Sequence, residues 1–344
     1  MTDITSIENG ARAAVDEVRL TVVVTTYERP DYLRQSLATI AAQSAKDSFK
    51  VIVQDNASTA DNSVVIAEYV DKMNLEYVRN ETNLGAEGNI GLALARYRDT
   101  EYLTVFHDDD LMHPRMLEWQ LRQMDADAEI LFIATQCAIF KDGTPPPFDL
   151  WECPVEPAYD VYSDAAGFVR GILSGSEPAL SSVMYRTRVL DCVQVDFERF
   201  NLYGDRPYLL SIARLGKSAL AKSPLVLYRI HGAQDSDSGA LTFSILIELM
   251  KEYRDTLDVS VNVEDRELFM KHSAAFLPHA YTRLQPAKRP TRLEFLGRAR
   301  AEGVLRLKDI SKGSWVRLLW PSGYSSLLDG VARMKRIVGR ILGK

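Results

Sequence analysis

Short apolar runs alternate with segments of helical periodicity between residues 20 and 135. The run at 20–25, Leu-Thr-Val-Val-Val-Thr, is rich in β-branched residues and has no polar face, as in a strand buried on both sides. Pro30 then stands where the first turn of a helix tolerates proline, and apolar residues follow it at helical spacing. The alternation predicts an α/β fold with a mostly parallel, Rossmann-like sheet flanked by helices. Further strands are predicted at 49–53, 75–79, 102–106 and 129–135, and further helices at 60–73, 85–98 and 114–124.

A proline-rich segment at 141–157 interrupts the alternation and predicts a loop. From residue 241 onwards the sequence is typical of polar helices and carries no further cluster of catalytic residue types. We therefore expect a catalytic domain at 1–240 and a helical, basic C-terminal extension at 241–344. Between them, helices are predicted at 164–173 and 203–215, and strands at 179–186 and 225–230.

Composition narrows the class of protein. A hydrophobic content of 46% and a charged content of 26% are typical of a globular protein with a full core. Three cysteines without a CxxC pair argue against a disulfide framework or a zinc site. No run approaches the ~18 apolar residues of a membrane-spanning helix, and the polar N-terminus has no pattern of a signal peptide. We expect a cytoplasmic protein.

The net charge of −6 conceals a basic C-terminal stretch, since residues 283–344 carry 15 Lys and Arg against 4 Asp and Glu. Within 330–344, apolar residues recur at helical spacing and basic residues occupy other positions, which is typical of a helix lying in a membrane interface. Self-association and packing on the main domain would use the same pattern, so these alternatives stay open. Peripheral contact with the inner face of a membrane is one expectation, and no nucleic-acid partner is expected.

Three consecutive carboxylates, Asp108, Asp109 and Asp110 (the acid triplet), follow the predicted strand at 102–106. Carboxylates this close repel one another unless a positive group neutralises them, and a divalent cation commonly does so. Open α/β sheets bind ligands outside the carboxyl ends of their strands, where the triplet is expected. The sequence therefore predicts a site for Mg²⁺ or Mn²⁺ at this edge of the sheet.

Six segments in chain order resemble the motifs of family 2 nucleotide-sugar glycosyltransferases, which have the GT-A fold. They are VVVTTYERPDYLRQSL, VIVQDNASTADN, NETNLGAEGNIGLAL, FHDDDLMHP, GDRPYLLSIARLG and VLYRIHGAQDS. The resemblance implies an inverting transferase that moves a sugar from a nucleotide diphosphate, with a UDP-sugar as the expected donor, to a hydroxyl acceptor. The chain departs from the motifs at His107, where the family often has an Asp, at Thr26 in place of Pro, and at Arg206 in place of an aromatic residue.

The resemblance also implies a set of residues around the donor. Asp55 would accept a hydrogen bond from the imide N–H of uracil, although an Asp-Asn turn would also explain it. Asn83 and Gly85 would face the nucleotide, or would only form a strand-to-helix turn. Tyr27 would offer a stacking face and Arg29 a phosphate or ribose contact. Arg229 would pair with the leaving diphosphate, or would only hold the end of its strand. The full set is Thr25, Tyr27, Arg29, Asp55, Asn83, Gly85, Asn89, Asp108 and Arg229.

The same resemblance implies metal and base positions. Asp109 would bind the metal, with His231 approaching it from the C-terminal side, while Asp110 would be a further ligand, cap the following helix or orient the acceptor. Asp205 would act as general base, because an attacking sugar hydroxyl must lose its proton. A helix N-cap is the alternative reading of Asp205.

Two other classes of protein share part of this pattern. A sugar-1-phosphate nucleotidyltransferase would also place paired Asp residues on a parallel sheet, but its glycine-rich phosphate loop after the first strand is absent. A catalytically inactive binding or scaffold protein would have lost the acids that this chain keeps. The sequence identifies neither the sugar nor the acceptor, for which a surface polysaccharide or a lipid-linked saccharide is the expectation, and it leaves the oligomeric state open.

Overall fold

The computed structural model describes residues 18–151, 155–232, 241–285 and 288–319. Strands and helices alternate in its first part, as the sequence predicts, and the last part is helical. The strands are β1 Leu20–Thr26, β2 Phe49–Asp55, β3 Leu75–Arg79, β4 Tyr102–His107, β5 Leu111–Met112, β6 Ile130–Lys141, β7 Tyr159–Tyr162, β8 Met184–Arg186 and β9 Lys217–Ile230. The α-helices are α1 Pro30–Ala41, α2 Ser63–Ala67, α3 Gly85–Arg96, α4 Met116–Ala126, α5 Ala165–Leu173, α6 Phe197–Phe200, α7 Asp205–Ala213, α8 Phe243–Leu257, α9 Val263–Arg283, α10 Arg292–Ala301 and α11 Lys312–Leu319.

The strands form one sheet in the order β3-β2-β1-β4-β8-β6-β9-β5, with β7 paired to β9. The four strands β3, β2, β1 and β4 are parallel, and β1 is central and buried throughout. Beyond β4 the sheet changes direction, because β8 pairs antiparallel with both β4 and β6. The predicted α/β fold is confirmed, and the sheet is mixed rather than mostly parallel. Apolar periodicity marks a strand but does not encode its direction, so the sequence could not show this change.

Several element boundaries differ from the prediction. The predicted helix at 60–73 is helical only at Ser63–Ala67. The predicted strand at 179–186 is a 3₁₀ turn at Leu180–Ser182 followed by the short β8. β9 begins at Lys217, eight residues before the predicted start at 225. The short strands β5 and β7 were not predicted, since runs of two to four residues carry little periodicity.

The chain divides into two compact units that interleave along the sequence. The first unit comprises residues 1–158, 179–192 and 223–229, and the second comprises 159–178, 193–222 and 230–344. β9 contributes residues to both. This division differs from the predicted boundary at residue 240, which stays a prediction about the folding domains.

The His113 ring, just before α4, stacks on the ring of Trp119 within that helix. His113 lies 4.9 Å from Trp119, ring centroid to ring centroid, and both side chains are buried. The Nδ1 atom of His113 accepts a hydrogen bond from the backbone N–H of Arg115 at 3.0 Å, so the ring is held in its neutral form. Burial, with the nearby charge of Arg115 as a smaller cause, lowers the pKa of His113 to about 4.

His113 should make the protein less stable in mild acid. Its pKa falls from the ordinary 6.5 to about 4 on folding, so between these values the unfolded chain binds the proton more tightly. The contribution of the neutral His113 ring to the free energy of unfolding is therefore fully present above pH 6.5. It is lost as the pH falls from 6.5 through 4, and the loss is about 3 kcal/mol at most. Urea unfolding of the wild type and of His113→Asn at several pH values measures this: the variant should lose that part of the slope. His279→Asn, at an exposed position, should retain the slope.

The second unit contains the helical C-terminal region, which confirms the predicted helical extension. α8 begins at a Thr242 cap, and α10 begins with a capping box between Thr291 and Glu294. α9 contains Pro278 in its interior. No helix of the described residues is long and apolar enough to cross a membrane. The amphipathic basic segment predicted at 330–344 lies outside the described residues.

Candidate active site

The loops after β2, β1 and β4 leave the sheet at one level. The backbone N–H of Asn56 donates to the carbonyl of Thr26 at 2.9 Å, and that of Asp108 donates to the carbonyl of Thr25 at 3.2 Å. The sheet pairing thus continues to the last residue of each strand. Because these carboxyl ends lie at one edge, the acid triplet, Arg29 and Asp55 belong to the same face of the first unit.

Two side chains from the β1 end bind the first two carboxylates of the acid triplet. The hydroxyl of Thr26 donates to Asp108 Oδ2 at 2.7 Å. One guanidinium nitrogen of Arg29 contacts Asp108 at 3.3 Å and Asp109 at 3.2 Å. Burial, together with the charge of Asp109, nevertheless raises the pKa of Asp108, so the two donors do not fully offset the repulsion. Thr26 thus provides a hydroxyl hydrogen-bond donor at the position where the motif that this segment resembles has proline.

Asp110 is completely buried, with no exposed surface. Its Oδ2 accepts from the hydroxyl of Ser181 at 2.7 Å, and its Oδ1 accepts from the backbone N–H of Arg229 at 3.2 Å. Burial and then the charge of Asp109 raise the pKa of Asp110 well above its ordinary value. α4 begins after Arg115 with no side-chain cap, so the capping role considered for Asp110 is not observed.

A divalent cation fits the donor set of this loop. His107, Asp109 and Asp110 each offer one ligand atom, and these atoms lie within 4.8 Å of one another. Carboxylate oxygens suit Mg²⁺ and Mn²⁺, and an imidazole nitrogen is compatible with Mn²⁺. A cation here would also offset the charge repulsion that raises the carboxyl pKa values. The structure thus adds His107 to the predicted ligands Asp109 and Asp110, whereas the predicted ligand His231 belongs to the second unit.

Asp55 is buried at the end of β2, and its carboxylate accepts four protein hydrogen bonds. Oδ1 accepts from the backbone N–H and the hydroxyl of Ser58, at 2.9 and 2.6 Å. Oδ2 accepts from the amide of Asn62 at 3.0 Å and from the hydroxyl of Tyr77 at 2.5 Å. A carboxylate has about four acceptor positions, so base binding by Asp55 requires one of these donors to leave.

Side-chain amides support the loop between β3 and α3. Asn56 donates to Asn83 Oδ1 at 2.9 Å and to the Gly85 carbonyl at 3.1 Å, and it accepts from Asn80 at 3.1 Å. Asn80 also donates to the side-chain oxygen of Asn89 at 2.9 Å. Asn89, which was predicted to bind the nucleotide sugar, therefore uses its side-chain oxygen within the protein. Gly85 has φ +71°, which explains a glycine there. The sequence reasoning missed Asn56 and Asn80, although both directly follow predicted strands.

The other predicted wall of the donor pocket also lies at the end of β1. Tyr27 is 41% exposed and offers a free ring face to a ligand, while Thr25 is buried and donates to the Phe106 carbonyl at 3.4 Å. Glu28, between Tyr27 and Arg29, has φ +57° and accepts hydrogen bonds from the backbone and hydroxyl of Thr59 at 2.6 and 2.8 Å. This carboxylate ties the β1 loop to the β2 loop.

The second unit contains the remaining predicted site residues, Asp205 and His231. Asp205 is the first residue of α7, after an N-cap at Gly204 that makes no side-chain cap hydrogen bond. The neighbouring Arg206 donates to Glu177 Oε2 at 2.9 Å, and the charges of Glu177 and Asp205 act on its guanidinium. Because Gly204 is the N-cap of α7, the alternative in which Asp205 is the N-cap is not observed. A carboxylate at its first residue is favoured by the helix dipole.

Sheet order, mixed pairing and an acidic loop at the carboxyl end of β4 together define a GT-A-type fold. A family profile described as Glycosyl transferase family 2 matches residues 21–163 of the chain. The matched segment contains the acid triplet, Asp55 and the amide-supported loop.

Parts of two other proteins are similar in sequence to this chain. An uncharacterized glycosyltransferase of Methanocaldococcus jannaschii is 33% identical over 124 residues, which are 34% of this chain and 42% of that protein. Hyaluronan synthase of Pasteurella multocida is 37% identical over 127 residues, or 36% of this chain and 13% of that protein. The chain thus spans less than half the length of these relatives. Residues 1–349 of TarS from Staphylococcus aureus, solved with UDP-GlcNAc, share the fold at a TM-score of 0.53 and 16% identity, over 91% of this chain and 92% of that one.

Proposed function

We propose that the protein transfers a sugar from a nucleotide diphosphate donor, with UDP as the favoured nucleotide, to a hydroxyl acceptor. One observation carries this proposal: buried carboxylates and an imidazole at the end of β4 present ligand atoms within 4.8 Å of one another. They do so within the segment that the Glycosyl transferase family 2 profile matches, at the sheet edge where ligands bind. A divalent cation held there would neutralise the charge of the departing diphosphate.

Individual residues around this site are assigned separate roles. Asp109, Asp110 and His107 would hold the cation. Arg29 and Thr26 keep Asp108 and Asp109 oriented, through the contacts at 2.7 to 3.3 Å described above. With its cationic group beside both carboxylates, Arg29 is also placed to contact donor phosphate, which is consistent with its predicted role.

Asp205 is proposed as the general base for the acceptor hydroxyl, on the strength of the family resemblance. The hydroxyl would attack the anomeric carbon as its proton passes to the carboxylate, and the bond to the diphosphate oxygen would break on the opposite face. This single displacement inverts the anomeric configuration.

A uracil nucleotide is proposed because of Asp55 and because of the relatives. The sequence relative TarS is named a β-N-acetylglucosaminyltransferase, and a structure of it contains UDP-GlcNAc. In this chain, recognition of the imide N–H by Asp55 would replace one of its four protein donors. Tyr77 is a candidate for that exchange, since it comes from the neighbouring strand β3 rather than from the loop that Asp55 itself organises.

Thermal unfolding with UDP, dTDP, GDP, CMP and ADP, each with Mn²⁺ or EDTA, tests this donor assignment. A ligand that binds only the folded state raises the midpoint of unfolding. At a ligand concentration of a hundred times its dissociation constant, it adds about 2.7 kcal/mol to the free energy of unfolding. We expect UDP with Mn²⁺ to give the largest shift and EDTA to reduce it strongly. A larger shift with another nucleotide would contradict the uracil assignment while leaving the transferase proposal in place.

The UDP-dependent thermal shift of the variant Asp55→Asn tests the role of this residue in the same experiment. An amide can still accept from Ser58 but loses the charge and one acceptor atom, so the UDP-dependent shift should fall relative to the wild type. Asp61→Asn is the matched control, because Asp61 forms a similar turn with Ser63, at 3.0 Å to its N–H, on an exposed part of the loop. Equal shifts in the two variants would remove Asp55 from base recognition.

The acceptor is proposed to be a saccharide or glycolipid hydroxyl. The net positive stretch at 283–344 supports peripheral contact with an anionic membrane surface, where a lipid-linked acceptor would be presented.

A further inference from the structure

Arg229 is a buried cation directly behind the acid triplet. It lies on β9, within the first unit, and only 4% of its surface is exposed. Its guanidinium carbon lies over two aromatic rings, 4.6 Å from the centroid of Tyr32 and 4.7 Å from that of Phe140. Contacts with two rings restrict the guanidinium, and desolvation strengthens such cation–π contacts.

Two hydrogen bonds join Arg229 to consecutive residues of the acid triplet. Its Nε donates to the backbone carbonyl of Asp109 at 2.9 Å, and its backbone N–H donates to the carboxylate of Asp110 at 3.2 Å. One contact fixes the peptide that follows Asp109, and the other fixes the Asp110 side chain. Arg229 therefore sets the directions in which both carboxylates leave the loop.

The outer end of the guanidinium is held by two further acceptors. Nη2 donates to Gln35 Oε1 on α1 at 2.8 Å, and Nη1 donates to Asp142 Oδ1 at 3.3 Å. The Asp142 side chain is 43% exposed and stands at the start of the proline-rich loop. Only a planar fork with donors in several directions can reach all of these acceptors, and a lysine ammonium could not.

We propose that Arg229 is a positioning residue for the cation site, and that it acts through the Asp109 backbone and the Asp110 carboxylate. This inference rests on the proposed function. Of the two roles expected for Arg229, it replaces contact with the leaving diphosphate and gives the structural alternative a purpose at the cation site. The hydrogen bonds of its side chain described above all go to protein groups. The same network makes Gln35, on α1, an indirect part of the cation site.

The affinity of the full-length protein for Mn²⁺, measured without donor or acceptor by electron paramagnetic resonance of free Mn²⁺, tests this inference. Loss of a group that orients metal ligands commonly lowers metal affinity by roughly 10- to 100-fold, and we expect Arg229→Lys to fall in this range. Arg186→Lys is the matched control. Arg186 is also buried, stacks on Tyr102 at 5.1 Å and donates to the carbonyls of Ile130 and Met124, at 3.1 and 2.8 Å.

The control separates positioning from general destabilisation. Both variants lose a buried arginine fork, but among the described residues Arg186 makes no hydrogen bond to the acid triplet, so Arg186→Lys should bind Mn²⁺ as the wild type does. Equal Mn²⁺ affinity in Arg229→Lys and Arg186→Lys would overturn the inference alone. A wild-type protein that binds no Mn²⁺ would overturn the proposed cation site and this inference together. If Arg229→Lys does not fold, Gln35→Ala at an exposed position decides: reduced affinity supports the inference, and unchanged affinity overturns it.

Discussion

Replacing Asp109 with asparagine should reduce sugar transfer by roughly 1,000-fold, the scale seen when one group that stabilises developing charge is removed. Burial, and after it the charge of Asp109, raises the pKa values of Asp108 and Asp110, so Asp109 is the carboxylate whose charge acts on both of the others. It also contributes to the candidate cation site and pairs with Arg29 at 3.2 Å. Asparagine keeps the shape of the side chain and removes the charge, so the cation should bind much more weakly.

Steady-state transfer rates and Mn²⁺ affinity should be measured together on Asp109→Asn. Both are expected to fall, whereas the midpoint of thermal unfolding without metal should stay the same or rise, because a repulsive charge has been removed from a buried cluster. Asp99→Asn is the control, since Asp99 is an exposed carboxylate that pairs with Lys50 away from the acid triplet. Full metal-dependent transfer by Asp109→Asn would contradict the role assigned to Asp109.

The parallel half of the fold was accessible from the sequence, and the antiparallel half was not. β1, β2 and β4 are apolar on both faces, and helices with clear periodicity connect them, so their order and direction follow from local pattern. β7 and β8 are short, and the direction of β8 depends on its partners β4 and β6. Tertiary pairing rather than local propensity determines these strands, which explains why the sheet was expected to be mostly parallel.

The site shows the same division between local and distant information. The acid triplet and Asp55 directly follow strands, so their position could be predicted from the order of the elements. Ser181, which donates to Asp110 from 71 residues further along the chain, has no motif that marks it. The donors to Asp55 from Ser58 and Asn62 are local, but the donor from Tyr77 could not be predicted, because Tyr77 comes from another strand. Sequence motifs locate the carboxylates, and long-range packing determines which oxygens remain available to a ligand.

Replacing Asp205 with asparagine should lower the turnover number by roughly 100- to 10,000-fold, the contribution expected of a general base. Asparagine cannot take the proton of the acceptor hydroxyl, so the chemical step slows while donor binding is unaffected. The decrease should appear in kcat at saturating donor and acceptor, with the UDP- and Mn²⁺-dependent thermal shift equal to that of the wild type. The acidic limb of the pH–rate profile should also disappear, because that limb reports the protonation of the base.

A carboxylate that caps a neighbouring helix provides the control for Asp205. The side chain of Asp164 accepts from the Gly167 N–H at 2.7 Å and caps α5, whereas α7 begins at Asp205 with Gly204 as its N-cap and no side-chain cap bond. Asp164→Asn should therefore cost at most about 1 kcal/mol of stability and leave turnover unchanged. If Asp205→Asn retained turnover and its acidic limb, Asp205 would be a residue of helix α7 like Asp164 in α5. The base would then have to be sought among other carboxylates of the second unit, of which Glu177, paired with Arg206, is the first to test.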